Sequence, residues 1–288
     1  MVKIKNFLVP PGKKVDLKDH DTSFTGEYKN KNDALEELGA DIQELMKLQD
    51  VLYAQDSYAL LIVIQGMDAS GKDSAIKHIM SGVNPQGCQV TSFKAPSAEE
   101  LDHDYLWRCM QAVPERGNIG IFNRSHYEEV LVVRVQPELL QKQKLPAPAL
   151  KGDIWKRRFK DINNYEKYLA NNGIVILKFF LNVSRREQKR RFLQRIDQPD
   201  KNWKFSFDDV AKRGDWKAYQ KAYEDILSNT SKPWAPWFVI PADHKWFSRA
   251  AIANIVVKKL QELKLRYPEM AAEKKKDLQK AKQMLENE

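Results

Sequence analysis

Hydrophobic positions along the 288-residue chain fall into two alternating patterns. Five short runs, "ALLIVIQG", "QVTSFK", "IGIFN", "IVILKFFL" and "WFVIPA", are close to continuously apolar. Continuous rather than alternating hydrophobicity predicts strands covered on both faces, as in a parallel sheet between helix layers. Between these runs the apolar spacing changes to three and four. Over 152–172, Ile154, Trp155, Phe159, Ile162 and Leu169 share one helical face. Over Asn32–Ala54 a second stripe runs through Leu35, Leu38, Ile42, Leu45 and Leu52, with Gln49 in its gap. That stripe suits either a helix packed on the main body or a short seam between subunits. Strand and helix alternate without an internal repeat, so the expected class is α/β with a five-stranded parallel sheet flanked by helices.

The flanks differ from this centre. Residues 1 to about 30 are rich in Lys, Asp, Gly and Pro and read as an extended arm on the surface. The final "AAEKKKDLQKAKQMLENE" mixes charges and reads as a solvated helix. The expected organisation is an arm and helix over 1–56, a main domain over 57–265, and a charged helix or tail over 266–288.

Composition narrows the partners. Apolar residues at 42% and charged residues at 30% describe a globular chain, with 48 Lys+Arg against 39 Asp+Glu for a net +9. Such an excess favours polyanions: nucleic acid, an acidic membrane surface or a phosphorylated substrate. Cys88 and Cys109 form no metal-ligand spacing or disulfide framework, which favours a reducing compartment. No run approaches the roughly 20 apolar residues that cross a bilayer. A cytoplasmic setting with no membrane partner is the expectation.

The chemistry concentrates in three places. "LLIVIQGMDASGKDS" places Gly66 and Gly71 around a turn between a strand and a helix start. Glycines let backbone N–H groups of residues such as Ala69 and Ser70 converge on phosphate oxygens, and Lys72 adds a full charge. The next residue is Asp73, where an ordinary P-loop has a Mg²⁺-ligating hydroxyl, and Ser74 comes one residue late. Asp68, inside the loop, either holds a divalent cation or stabilises the turn through its backbone. The second signal, "NIGIFNRSHYEEVLVVRV", delivers Asn123 and Arg124 at the end of a buried strand, where open α/β sheets bind ligands. A strand of this type normally ends in a metal-binding Asp. Asn123 brings no charge, so Glu128 or Glu129 is left to supply the carboxylate. Third, six Lys/Arg lie between Arg185 and Arg195 with only Glu187 to relieve them. Arg191 and Arg195 share a helical face, and Phe192 and Ile196 are expected in the core. A lid over about 184–215, closing cations over phosphate, is the preferred reading; a nucleic-acid surface is the alternative.

Taken together, "LYAQDSYALLIVIQGMDASGKDS", "FKAPSAEELDHDYLWR", "IFNRSHYEEVLVVRV", "RRFLQRIDQPDKNWKFS" and "APWFVIPADHKWFSR" resemble the polyphosphate kinase 2 family of polyphosphate:nucleotide phosphotransferases. The likeness runs in order from about Leu17 to about Leu263. It implies a thymidylate-kinase-like P-loop kinase fold with a helical lid. The implied reaction is reversible phosphoryl transfer between inorganic polyphosphate and nucleotides, AMP to ADP and ADP to ATP. Mg²⁺ is the implied cofactor, with Mn²⁺ as an alternative. By the same resemblance Asp68, Lys72, Arg124 and Asn123 are catalytic, and Gly66, Ala69, Ser70, Gly71, Asp73 and Ser74 cradle phosphate. Arg191, Arg195, Lys245 and Arg249 line the polymer, and Lys94, Asp104 and Arg108 serve the acceptor. Asp68 and Glu128 are the candidate metal ligands. The wider family often carries Asp where this chain has Asn123, so that residue is either a subgroup trait or an inactivating change. The variant strand end and the "LKDHDT" arm look like the branch that takes both nucleoside mono- and diphosphates. Adenine nucleotides, with guanine as a second class, and a homodimer or homotetramer complete the expectation. The rivals are an ATP-dependent nucleoside monophosphate kinase and a non-enzymatic nucleic-acid-binding P-loop protein. The second lacks any aromatic RNA-binding motif, so nucleic acid is not an expected partner.

Overall fold

The computed structural model describes residues 2–28 and 30–288. Five parallel strands, β1 (Ala59–Gly66), β2 (Cys88–Ser92), β3 (Ile119–Asn123), β4 (Ile174–Asn182) and β5 (Trp237–Pro241), lie in the order β2-β3-β1-β4-β5. Every residue of β1 and β5 is buried, as continuous hydrophobicity demands of strands covered on both faces. The longer helices are α1 (Lys31–Gln55), α2 (Lys72–Ile79), α3 (Ile154–Asn171), α4 (Arg185–Asp197), α5 (Trp216–Thr230), α6 (Lys245–Glu262) and α7 (Ala272–Glu286). The α/β class and the five-stranded parallel sheet therefore stand as expected. No helix among the described residues is long and apolar enough to cross a membrane.

Strand order fixes where a ligand can go. From β1 the chain crosses to the edge strand β2, returns to lay β3 between β2 and β1, and then builds β4 and β5 on the other side of β1. The connections leaving β1 and β3 run in opposite directions across the sheet, which leaves a crevice at the carboxyl ends of these two strands. Register places Ile64 opposite Asn123, so Gln65 and Gly66 extend β1 past the end of β3.

Helix α1 starts where the Asn30 side chain accepts hydrogen bonds from the N–H groups of Asn32 and Asp33. Its apolar stripe packs on α6 and places Leu38, Leu45 and Leu52 in the main core. Gln49 is buried in the gap against Gly87, which has no room for a Cβ there. Leu38, Leu45 and Leu52 are thus a core face within one chain, whereas Leu35 at the start of the stripe is 39% exposed. The amino-terminal arm does more than lie on the surface. Val9 N donates to Trp237 O at 2.9 Å and Val239 N donates to Phe7 O at 2.8 Å, capping the open edge of β5. Phe7, Val9, Val15 and Leu17 join the core. Within α4, Phe192 is buried as expected, but Ile196 is 49% exposed, because the helix leaves the body towards its carboxyl end. Helix α7 is solvated throughout its described side chains, as its mixed charges suggest.

Candidate active site

The loop from Gly66 to Gly71 is shaped by backbone needs that only certain residues meet. A Cβ on Gly66 would stand 2.7 Å from Ser70 Oγ and 2.9 Å from the Leu181 carbonyl oxygen. Ala69 sits in the left-handed region at φ 61°, and Ser70 N donates to Met67 O to close the turn. Helix α2 begins at Lys72, so its unpaired N–H groups and positive dipole end belong to the loop. Lys72 is buried, and its ammonium donates to the carbonyl oxygens of Gly66 at 2.7 Å and Met67 at 3.3 Å. Burial, then the Arg124 charge, press its pKa down to about 8 against Asp68, Glu128 and Asp73.

At the end of β3, Arg124 adopts φ 64°, a left-handed conformation that costs roughly 1–3 kcal/mol and concentrates at functional sites. Its N–H donates to Ile64 O at 3.1 Å, and its guanidinium donates to Asp68 Oδ1 at 2.7 Å and faces Glu128 at 3.6 Å. Burial works against the Arg124 charge, but Glu128 and Asp68 outweigh it and raise the pKa. Asn123 Nδ2 donates to Asp73 Oδ1 at 2.9 Å and to Ser92 Oγ at 3.3 Å, while its own Oδ1 is buried without a partner. Asp68, Lys72, Asn123, Arg124, Asp73 and Glu128 are therefore one connected cluster.

Helix α4 divides into two parts. Arg191 is buried and spends its donors on backbone: Ala69 O at 2.9 Å, Ser70 O at 2.7 Å, Ala242 O at 2.5 Å and Asp243 O at 3.1 Å. Its Nε donates to Glu187 at 2.7 Å. Gln188 Nε2 adds a bond to Asp68 O at 2.9 Å. This half of the helix braces the loop from behind, and Arg191 has no donor turned to the cleft. One helical turn on, Arg195 stands 3.7 Å from Asp209, near the cleft. On the α6 side, Arg249 donates to Ser74 Oγ at 2.6 Å, so the late hydroxyl is held by a guanidinium. Lys245 lies beside the position a Cβ on Gly71 would take. Burial first, then Arg191, Arg249 and Lys201, press its pKa down to about 8, with only Glu187 opposing.

On the other side of the loop a cleft of about 400 Å³ runs from Gly66, Met67 and Asp68 past Arg124 to a wall that includes Phe93, Leu131, Val132 and Leu139. Lys94 and Arg108 line it. Arg108 is buried, donates to Lys94 O at 2.8 Å and lies over the Phe93 ring. Asp104 is elsewhere: its carboxylate accepts from Leu106 N at 2.9 Å in a local turn, and it is not among the lining residues. Trp107 stacks on His103, 4.0 Å between centroids. His126 is buried against Tyr127, Tyr165 and Glu166, a packing role that burial reinforces by lowering its pKa. Sequence reasoning missed Gln188, Asp209, Tyr219 and Tyr223, all of which line the cleft. Asp209 sits in an ordinary-looking "FDDV", and only the return of the chain over the cleft reveals it.

The family described as Polyphosphate kinase 2 matches residues 28–268 of this sequence. The chain belongs to the polyphosphate kinase 2 family. Members of this family transfer phosphoryl groups between polyphosphate and nucleotides, and that is the activity of this enzyme. An "ADP-polyphosphate phosphotransferase" from Rhodopseudomonas palustris is 46% identical over 99% of both chains. An "AMP/ADP-polyphosphate phosphotransferase" from Meiothermus ruber is 43% identical over 94% of this chain and 98% of its own. The crystal structure of Polyphosphate Kinase 2 from Arthrobacter aurescens TC1 superposes with a TM-score of 0.84 at 36% identity, covering 94% of each chain. These likenesses fix the P-loop kinase fold.

Phosphotransferases of the polyphosphate kinase 2 family use a divalent metal. Among the described residues no three His, Cys, Asp or Glu converge as a ready-made cage. What is present is a pair of carboxylates, Asp68 and Glu128, both at Arg124, and a partnerless buried oxygen, Asn123 Oδ1, on the residue before it. Oxygens of this kind suit a hard divalent ion, which can take one or two protein oxygens and complete its shell with phosphate and water.

Proposed function

We propose that this polyphosphate kinase 2 family enzyme phosphorylates both AMP and ADP from inorganic polyphosphate, reversibly and with Mg²⁺, Mn²⁺ being an alternative. The observation that carries the reading is the asymmetry of the two sides of the loop. On the α6 side, Lys245, Arg249 and Lys201 form a cationic cluster, with Glu187 the acid that acts against it at Lys245. A polymer with no base to recognise needs charge and nothing else there. On the other side the cleft joins an apolar wall to Arg108 and Lys94, the composition expected for a nucleoside with a phosphate at one end. Gly66, Ala69, Ser70, Gly71 and Asp73 form the cradle between them, and Ser74 ties it to Arg249. The apolar wall suits adenine and, as a second class, guanine nucleotides. The relative whose name includes AMP supports the broader acceptor range.

In this reading, Lys72 leaves its two carbonyl partners for the transferring group, and Arg124, oriented by Asp68 and Glu128, neutralises its equatorial oxygens. Arg195 joins from the outer half of α4, beside Asp209. Arg191 serves by holding the loop backbone, a positioning role. Asp68, Glu128 or Asn123 Oδ1 would hold a Mg²⁺, which would supply charge neutralisation. Reduced cysteines suit a cytoplasmic setting, and a homodimer or homotetramer is the assembly to look for by light scattering.

The test is transfer from long-chain polyphosphate to AMP and to ADP with Mg²⁺, following products by chromatography beside Lys72→Ala. Both ADP and ATP should form, and neither with the variant. Product from ADP alone would narrow the acceptor range. Transfer only when ATP replaces polyphosphate would overturn the reading in favour of a nucleoside monophosphate kinase.

A further inference from the structure

Two departures from the usual P-loop arrangement, Asp73 and Asn123, lie far apart in sequence and touch in space. Asn123 Nδ2 donates one hydrogen to Asp73 Oδ1 at 2.9 Å and the other to Ser92 Oγ at 3.3 Å. A carboxamide with both N–H groups engaged has its oxygen orientation fixed. Here that oxygen, Asn123 Oδ1, is buried and has no partner. In an ordinary P-loop kinase the helix supplies a hydroxyl and the strand end a carboxylate, one negative charge between them. In this chain the helix supplies a carboxylate and the strand end an amide, again one negative charge. The charge has crossed from the strand to the helix, and the pair has kept its hydrogen bond.

We propose that Asp73 and Asn123 are a matched pair, in which Asp73 is the positioning residue that fixes the Asn123 carboxamide, and with it Oδ1, at the end of β3 next to Arg124. The substitution at position 123 is then a working part of this site and depends on the carboxylate at position 73. The local geometry leaves little choice. Asp at 123 would set two carboxylates at the present 2.9 Å separation, with Asp68 and Glu128 already in the same cluster. Like charges that close cannot both remain ionised without cost. Asn at 73 would leave two amides, either of which can turn, so Oδ1 would lose its fixed orientation.

The inference rests on the phosphotransferase reading for its kinetic arm, and a second arm is independent of activity. Asn123→Asp, Asp73→Asn and the exchange of both are compared with the parent protein. Steady-state kinetics with polyphosphate and ADP separate kcat from KM. Thermal unfolding is followed without nucleotide or metal. Asn123→Asp should lower kcat about 100-fold with KM for polyphosphate changed far less, and should lower Tm; Asp73→Asn should lower kcat about 10-fold. The exchanged double variant should return to within about 10-fold of the parent kcat, and its Tm should recover. Full activity in Asn123→Asp would overturn the pairing, as would a double variant whose losses are the product of the two singles. If the parent protein itself transfers no phosphate, the phosphotransferase reading fails, and recovery or additivity in Tm still decides the pairing.

Discussion

Replacing Lys245 with Arg separates the charge of the donor-side cluster from its titration. Lys245 has an ordinary pKa of 10.5 and is pressed to about 8 by burial and by Arg191, Arg249 and Lys201. A bound polyanion supplies the counter-charge that offsets burial and the neighbouring cations, so the bound state holds the proton more tightly than the free state. The sign follows directly. Below about pH 8 the lysine is charged in both states and affinity is flat. Above it, each binding event must take up a proton, and affinity falls as pH rises. With free and bound values of about 8 and 10.5, donor affinity weakens about 20-fold between pH 7.5 and 9.5 from this residue alone. Lys72 titrates in the same range in both proteins, so the difference between the two pH profiles is the quantity to read. Equilibrium titration with long-chain polyphosphate, without acceptor or metal, at a series of pH values is the assay. The parent protein should lose about 20-fold more affinity than Lys245→Arg across that interval. Parallel profiles would refute the argument and remove Lys245 from the polymer path.

Other outcomes follow from contacts elsewhere. Lys178 and Glu166 form a fully buried pair at 2.6 Å, joined by Tyr127 Oη and Thr230 O. Lys178→Met strands a carboxylate and should cost about 3–5 kcal/mol in chemical denaturation, while adding Glu166→Leu should recover most of it. Arg124→Lys keeps the charge but loses the fork that joins Asp68 to the cleft, and should lower kcat about 100-fold with little change in Tm. Gly66→Ala drives a methyl against Ser70 and the Leu181 carbonyl, and should abolish transfer and lower Tm together.

Most of the fold was legible because the strands are short, continuously apolar and buried on both faces, which leaves few alternative readings. The phosphate loop was legible for the same reason: glycine, lysine and a preceding strand occur in one contiguous stretch. Arg191 shows where legibility ends. A run of arginines after a strand signals an anion, yet whether each guanidinium meets phosphate or backbone carbonyls depends on how closely the helix approaches the loop. Arg191 and Arg195 differ by one helical turn and have unlike surroundings. Asp104 failed for a related reason, since an aspartate two residues before a backbone N–H caps a turn as readily as it greets a ligand. Asp73 and Asn123 each looked like a loss when read singly, and only three-dimensional proximity joins them.

The bond between the arm and β5 ties residues 7 to 9 to residues 237 to 239. Farther along the arm, Thr22 Oγ1 donates to Asp243, whose own backbone oxygen receives Arg191, two residues before α6 brings in Lys245. Closing so long a span comes late in folding, since loop entropy must be met before these contacts form. The arm is then expected to act as a slow latch on the helix that carries Lys245 and Arg249. Hydrogen exchange should find the Val9 and Val239 amides opening ahead of the central sheet, and with them the register of the cationic face.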